Sequence, residues 1–222
     1  MTIELLNIDC MAYMKDQPDN AFDLAIVDPP YGINADKAQN KAAESRKNAK
    51  AGSKAGRGWA EYKQTEWDSS PPDDNYFEEL FRVSKTQIIW GGNYFPLIWS
   101  HSNSFIIWNK MQREFSLADG ELAWYSETGK AMRIFDMSRG EALSNNKGRI
   151  HPTQKPVKLY DWLLSNYANQ GDRILDTHLG SGSSAIAAHY GGFDFVGCEL
   201  DKDYFKAACE RFDLATAQET LF

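Results

Sequence analysis

Phe22-Asp23-Leu24-Ala25-Ile26-Val27-Asp28-Pro29-Pro30-Tyr31-Gly32 changes character halfway along. Its first half is an apolar run of the length and composition of a buried strand. Its second half places an acid, two prolines and an aromatic at the carboxyl end of that strand. In an open α/β sheet this is the end at which ligands bind. A second unit of the same kind lies late in the chain, where Arg173-Ile174-Leu175-Asp176 runs into a Gly-rich turn and a helical stretch. Two strands that end in acids, each followed by a turn, predict an α/β fold with its site at one edge of the sheet.

The chemistry of the corner is specific. Proline has no N–H, so Pro29 and Pro30 donate no backbone hydrogen bonds. Their restricted backbone can aim the Pro29 carbonyl outward beside the Asp28 carboxylate. Two acceptors with few competing donors, next to the flat face of Tyr31, suit a planar ring that carries an amino group. An unpaired adenine or cytosine fits that description. An ordinary Asp-Pro turn closing a strand would read the same, and the tetrapeptide alone does not choose between the two.

The chain has 222 residues, which suits one large or two small domains. Hydrophobic residues make up 42% and the mean hydropathy is −0.54, which points to a soluble globular protein. No apolar run is long enough to cross a membrane. Met1-Thr2-Ile3-Glu4 does not open a signal peptide, and Cys10, Cys198 and Cys209 make no metal-like spacing and no even set. Reduced thiols in the cytoplasm are expected, with no metal. A formal charge of −7 argues against a nucleic-acid binder with basic charge all over its surface. The charge is uneven, however. Between Asp36 and Gly58 stand Lys37, Lys41, Arg46, Lys47, Lys50, Lys54 and Arg57, opposed only by Asp36 and Glu44. That segment carries +5, which leaves −12 on the rest, and such asymmetry predicts local contact with a polyanion.

Further strands are expected at Ile3–Ile8, Thr86–Trp90, Ser104–Trp108, Glu121–Tyr125 and Phe193–Cys198. Helices are expected from Asp73-Asp74 onward, over Val157–Tyr167 and Ala185–Tyr190, and from Asp201 to about Leu214. Residues 33–70 lack apolar periodicity and read as a long insert that faces the substrate. Residues Arg133 to Gly148 read as polar and irregular, with room for one short strand at Ile134-Phe135. In the Gly-rich unit, Thr177-His178-Leu179-Gly180-Ser181-Gly182-Ser183-Ser184 matches neither the dinucleotide fingerprint nor a Walker loop. Asp176 before it could bind a ligand ammonium, and Glu199, closing the next strand, stands where an acid holds ribose hydroxyls.

Asp28-Pro29-Pro30-Tyr31, then His151-Pro152-Thr153-Gln154-Lys155-Pro156, then Asp176 to Gly182, occur in that order. In this the chain resembles the β-group of DNA amino-methyltransferases, enzymes that use S-adenosylmethionine. The resemblance spans nearly the whole chain apart from residues 33–70 and 111–148. It implies a Rossmann-like methyltransferase fold, with a mixed, mostly parallel, seven-stranded type of sheet, helices on both faces and a circularly permuted motif order. It implies one catalytic domain over residues 1–222, with the basic insert at about 33–70 and a small target-recognition segment at about 111–148. Asp28, Pro29, Pro30 and Tyr31 would be the catalytic residues, acting on the N6 of a flipped adenine; cytosine N4 is the alternative, as is a non-catalytic DNA-binding relative. Asp at the first motif position resembles the adenine-specific members, since cytosine-specific ones commonly have Ser.

For S-adenosylmethionine, the resemblance assigns Asp176, Gly180 and Gly182 to the methionine end and Glu199 to the ribose, with Ser181, Ser183 and His178 also binding the cofactor. Asp9 goes to the adenine end, Thr153 and Lys155 go near the methionine carboxylate, and Cys10 and Asp28 also border the cofactor. His178 stands where the family usually has Phe. DNA is the implied partner, with Lys37, Lys41, Arg46, Lys47, Lys50, Lys54 and Arg57 on its phosphates. The resemblance leaves room for a homodimer and for a separate restriction endonuclease.

Overall fold

The computed structural model of the chain describes residues 1–34, 68–113, 118–144, 150–151 and 153–217. The two acid-terminated runs become neighbours at the centre of one sheet. Strand β2 (Phe22–Val27) lies between β7 (Arg173–Asp176) and β3 (Ser84–Trp90), parallel to both. Beyond β7 follow β8 (Asp194–Cys198) and β1 (Ile3–Leu6), again parallel. Beyond β3 the direction reverses. Strand β5 (Gly120–Tyr125) runs antiparallel to β3 and to β4 (Ser104–Asn109), and β6 (Arg133–Asp136) closes that edge parallel to β4. The order is β1-β8-β7-β2-β3-β5-β4-β6. The sheet is thus mixed and mostly parallel, with eight strands where seven are expected.

The alternation of side chains along the strands accounts for the two cores. Leu24 and Ile26 of β2 face a cluster with Leu159 and Leu163 of α4 (Val157–Tyr167), Ala185 of α5 (Ser183–Gly191) and Ala208 of α6 (Lys202–Thr216). Ala25 and Val27 face the other cluster, with Met14 of α1 (Cys10–Lys15) and Tyr76, Phe77 and Leu80 of α2 (Asp74–Val83). Both faces of the central strands are therefore covered by helices, which is why β2 reads as a nearly continuous apolar run.

The stretch expected to be irregular after Arg133 holds a short helix, α3 (Arg139–Ser144). Its start is a capping box. Ser138 Oγ accepts from Glu141 N, and Glu141 returns the contact to Ser138 N at 3.0 Å. Ser138 and Glu141 carried that signal in the sequence, but the polar composition around them masked it.

All five strands from β1 to β3 run in one direction, so their carboxyl ends share one edge. That edge gathers Asp9, Glu199, Asp176, Asp28 and Gly91. The order also diverges between β2, which leads to β3 on one side, and β7, which leads to β8 on the other. A crevice opens at such a switch point.

Candidate active site

A cavity of about 1040 Å³ fills this crevice. Of the residues singled out in the sequence, Asp9, Cys10, Asp28, Pro29, Pro30, Tyr31, Thr153, Lys155, His178, Gly180, Ser181 and Glu199 line it. Asp176, Gly182 and Ser183 do not; they lie behind its wall. The seven basic residues from Lys37 to Arg57 lie outside the described residues, as does most of the 33–70 insert.

At the corner after β2, Asp28 has two partners. The Tyr31 hydroxyl donates to its Oδ1 at 2.5 Å, and the Lys155 ammonium is ion-paired with its Oδ2. Burial pushes the Asp28 carboxyl above the usual carboxylate range, against the pull of Lys155. The prolines have no N–H, so the first backbone donors after them belong to Tyr31 and Gly32. Both point to Asp68 Oδ1, at 2.7 and 2.8 Å. The corner is thereby shaped from outside itself, by an acid 37 residues beyond Tyr31.

The Tyr31 ring is stacked on Tyr94, with centroids 5.0 Å apart and planes 14° from parallel, and meets the edge of Phe95. Tyr94 belongs to the turn that leaves β3. Gly91 of that turn has φ +70°, and a Cβ on it would overlap the Tyr31 ring. Only glycine combines that backbone with that approach.

Lys155 is the buried centre of the site. Its ammonium reaches Glu121 Oε2 at 3.3 Å besides Asp28, and lies 5.2 Å from the Trp90 ring centroid. Burial pulls its pKa down, but the two carboxylates outweigh burial and raise it. Glu121 Oε1 in turn pairs with Lys110 at 2.6 Å. Burial raises the Glu121 carboxyl, yet the two lysines outweigh it and hold the group below its ordinary range. The expected place for Lys155 was the cofactor's methionine carboxylate; in the structure its ammonium sits on the Asp28 corner.

The Gly-rich turn after β7 is tied down at each step. Asp176 accepts from His178 N at 3.0 Å and from Ser184 Oγ at 2.6 Å. These partners are neutral, and burial pushes its pKa up to about 7. Ser183 Oγ donates to the Lys155 carbonyl at 2.7 Å, which joins the turn to the His151–Pro156 segment. Gly180 N donates to Glu199 Oε2 at 2.8 Å, and Asp201 N to Glu199 Oε1 at 2.9 Å. His178 meets the edge of Tyr76 at 5.5 Å and is held neutral, its pKa pushed down to about 4 by burial. Asp9 caps α1 through Ala12 N at 2.9 Å, and burial pushes the neighbouring Cys10 thiol up to about 12, which leaves it inert.

Asp68, Tyr94, Gly91 and Glu121 escaped the sequence reading. Glu121 had a signal, as a lone acid at the start of an otherwise apolar strand. Asp68 had none, because its partner is a backbone far away in sequence.

Among known proteins, the family model described as DNA methylase matches residues 99–210. The chain belongs to the DNA methylase family. Type II methyltransferase M.HpaI of Haemophilus parainfluenzae is 25% identical to this methylase over 96% of the chain and 75% of its own length. Among solved structures, M1.HpyAVI in complex with SAM superposes with a TM-score of 0.60 at 21% identity, covering 95% of this methylase and 100% of that chain. The cytosine-N4-specific PvuII DNA methyltransferase has the same TM-score at 13% identity, covering 98% and 91%. At these identities the two structures share the fold. Neither they nor the family model separates adenine N6 from cytosine N4.

Proposed function

We propose that this methylase transfers a methyl group from S-adenosylmethionine to the N6 of an adenine in DNA. The observation that carries the reading is Asp28 at the mouth of β2, a half-buried acid that lines the cavity beside Pro29. The target amino nitrogen is a poor nucleophile because its lone pair is delocalised into the ring. Accepting its two N–H groups on the Asp28 carboxylate and the Pro29 carbonyl favours a tetrahedral nitrogen with a localised lone pair. The same acceptors stabilise the positive charge that grows on the nitrogen as it bonds to carbon. The Asp28 carboxylate also stands ready for the proton that the nitrogen must then release. Such a corner cannot reach a base inside a duplex, so the base must be extruded, and the Tyr31 ring is the surface offered to it.

The residues around the Gly-rich turn fit the cofactor. Glu199 is fixed by two backbone N–H groups and faces the cavity, as a carboxylate that binds a diol requires. Gly180 has φ +53°, the left-handed backbone that suits glycine, and lines the cavity. Glu199 would hold the ribose, Asp9 and Cys10 the adenine end, and Gly180, Ser181 and Thr153 the methionine end. When bound there, S-adenosylmethionine supplies a methyl group on sulfonium sulfur, which leaves as a neutral thioether. Asp176, behind the wall, would keep the turn in shape through His178 and Ser184.

The test is methyl transfer from S-adenosylmethionine to unmethylated genomic DNA, followed by base-resolved mapping. N6-methyladenine, lost in Asp28→Ala, is the expected result. N4-methylcytosine would move the reading to the cytosine alternative. Binding of DNA without transfer would leave a regulatory relative.

A further inference from the structure

A buried ammonium on Asp28 is a competitor for the same lone pairs that the target amino group needs. Lys155 is 4% exposed, and its side chain reaches the corner from the segment that precedes α4. A lysine with one charged partner would be hard to move, because a buried charge left unpaired is strongly unfavourable. Lys155 has two charged partners. Glu121 enters from β5, the antiparallel strand on the far side of β3, and takes the same ammonium at 3.3 Å. Its other oxygen is anchored by Lys110, from the end of β4.

We infer that Glu121 is a positioning residue for methyl transfer: it provides the second seat for the Lys155 ammonium, so that Asp28 keeps lone pairs free for the incoming amino group. The inference rests on the reading of Asp28 as the acceptor of the target amino group. It also makes Asp28 more basic than a pair with Lys155 alone would leave it. The groups that face Asp28 are Tyr31 on its own corner, Lys155, Glu121 with Lys110 behind it, Tyr160 of α4, and Asp176 at the end of β7. Glu121 is the carboxylate among them whose charge can be removed without replacing a residue of the corner, the Gly-rich turn or the lysine itself.

The sign of the effect follows from these charges. Activity requires an ionised Asp28, so it is lost as pH falls through the Asp28 pKa. A negative Glu121 raises that pKa. Glu121→Gln should therefore move the acid limb of kcat/KM for DNA to lower pH, by about one unit or less given the intervening lysine. At the same time kcat should fall by about tenfold, because Lys155 then has only Asp28 as a charged partner; outer partners of reacting groups at metal sites cost a similar factor. Affinity for S-adenosylmethionine, read by calorimetry, should stay within about twofold, since the groups assigned to it are untouched. Glu121→Asp keeps the charge and should return the acid limb toward that of the parent. A purely structural role would lower Tm and activity together and leave the limb where it is. An unmoved limb in Glu121→Gln, with Asp28→Asn inactive, overturns this inference alone. An active Asp28→Asn overturns the reading of the corner on which it rests.

Discussion

Tyr31 has two parts that can work, a ring and a hydroxyl, and the structure engages both. The hydroxyl bonds Asp28 at 2.5 Å while the ring lies against Tyr94. Tyr31→Phe removes one hydrogen bond to a charged group, a loss of about 1.5–3 kcal/mol in general, so a fall in kcat of roughly tenfold or somewhat more is expected. That bond lowers the Asp28 pKa, so the acid limb should also move to higher pH. Tyr31→Ala removes the ring as well, worth roughly 1–3 kcal/mol of base stacking, and should impair capture of DNA in addition. Asp28→Ala should cost a hundredfold or more in rate and leave most cofactor affinity in place. If Tyr31→Phe proves as inactive as Asp28→Ala, the hydroxyl and not the ring is the working part. Asp176 makes a different prediction. Its pKa rises from 3.8 to about 7 on folding, so the folded state favours its protonated form. The stability this contributes is complete below the unfolded value and is lost as pH rises through 7, by at most about 4 kcal/mol. Asp176→Asn should therefore flatten the fall of Tm between pH 4 and pH 8 in the protein without cofactor. It should also weaken S-adenosylmethionine binding by loosening the turn at Ser184 and His178. A Tm profile that runs parallel to that of the parent would show that Asp176 is not the titrating group.

At the scale of elements, the corner depends on the turn after β3. Gly91 has the left-handed backbone and sits where a side chain would overlap Tyr31. Gly91→Ala should destabilise the protein by about 1–3 kcal/mol, measured by denaturant unfolding, and should reduce transfer more than cofactor binding because it displaces Tyr31. A variant that unfolds at the parent's midpoint would mean that the turn yields without moving the ring. Strands β2, β7 and β3 were legible as strands because each carries an apolar run with a punctuated end. Helix α3 was not, although its capping box was present, since six residues leave too short a period to see. Strand β5 was legible as a strand but not as the carrier of Glu121. Pairing with β3 and β4 points that side chain at Lys155, and no local pattern encodes such a partner.

For the whole molecule, charge decides how DNA is met. The chain carries −7, while the segment from Asp36 to Gly58 carries +5. Binding DNA with an acidic body requires a local basic contact, and we expect that segment to supply it. Replacing Lys47, Lys50 and Lys54 with Ala should reduce the slope of log affinity against log salt by about 2 to 3, if each meets a phosphate. An unchanged slope would move the phosphate contacts elsewhere. Among the described residues no helix is long and apolar enough to cross a membrane.

The sequence by itself determined the α/β class, the strand-end position of Asp28 and of the Gly-rich turn, and the reading as an amino-methyltransferase. Those properties are local. An apolar run, a pair of prolines and an ordered set of motifs are visible without knowing what lies across the sheet. Only the tertiary structure decided what Asp28 touches. Lys155 lies 127 residues further along the chain, Asp68 acts on the backbone of Tyr31, and Glu121 arrives on an antiparallel strand. A buried ion pair is set by which strand ends share an edge. That is a property of the strand order, which no spacing in the sequence records.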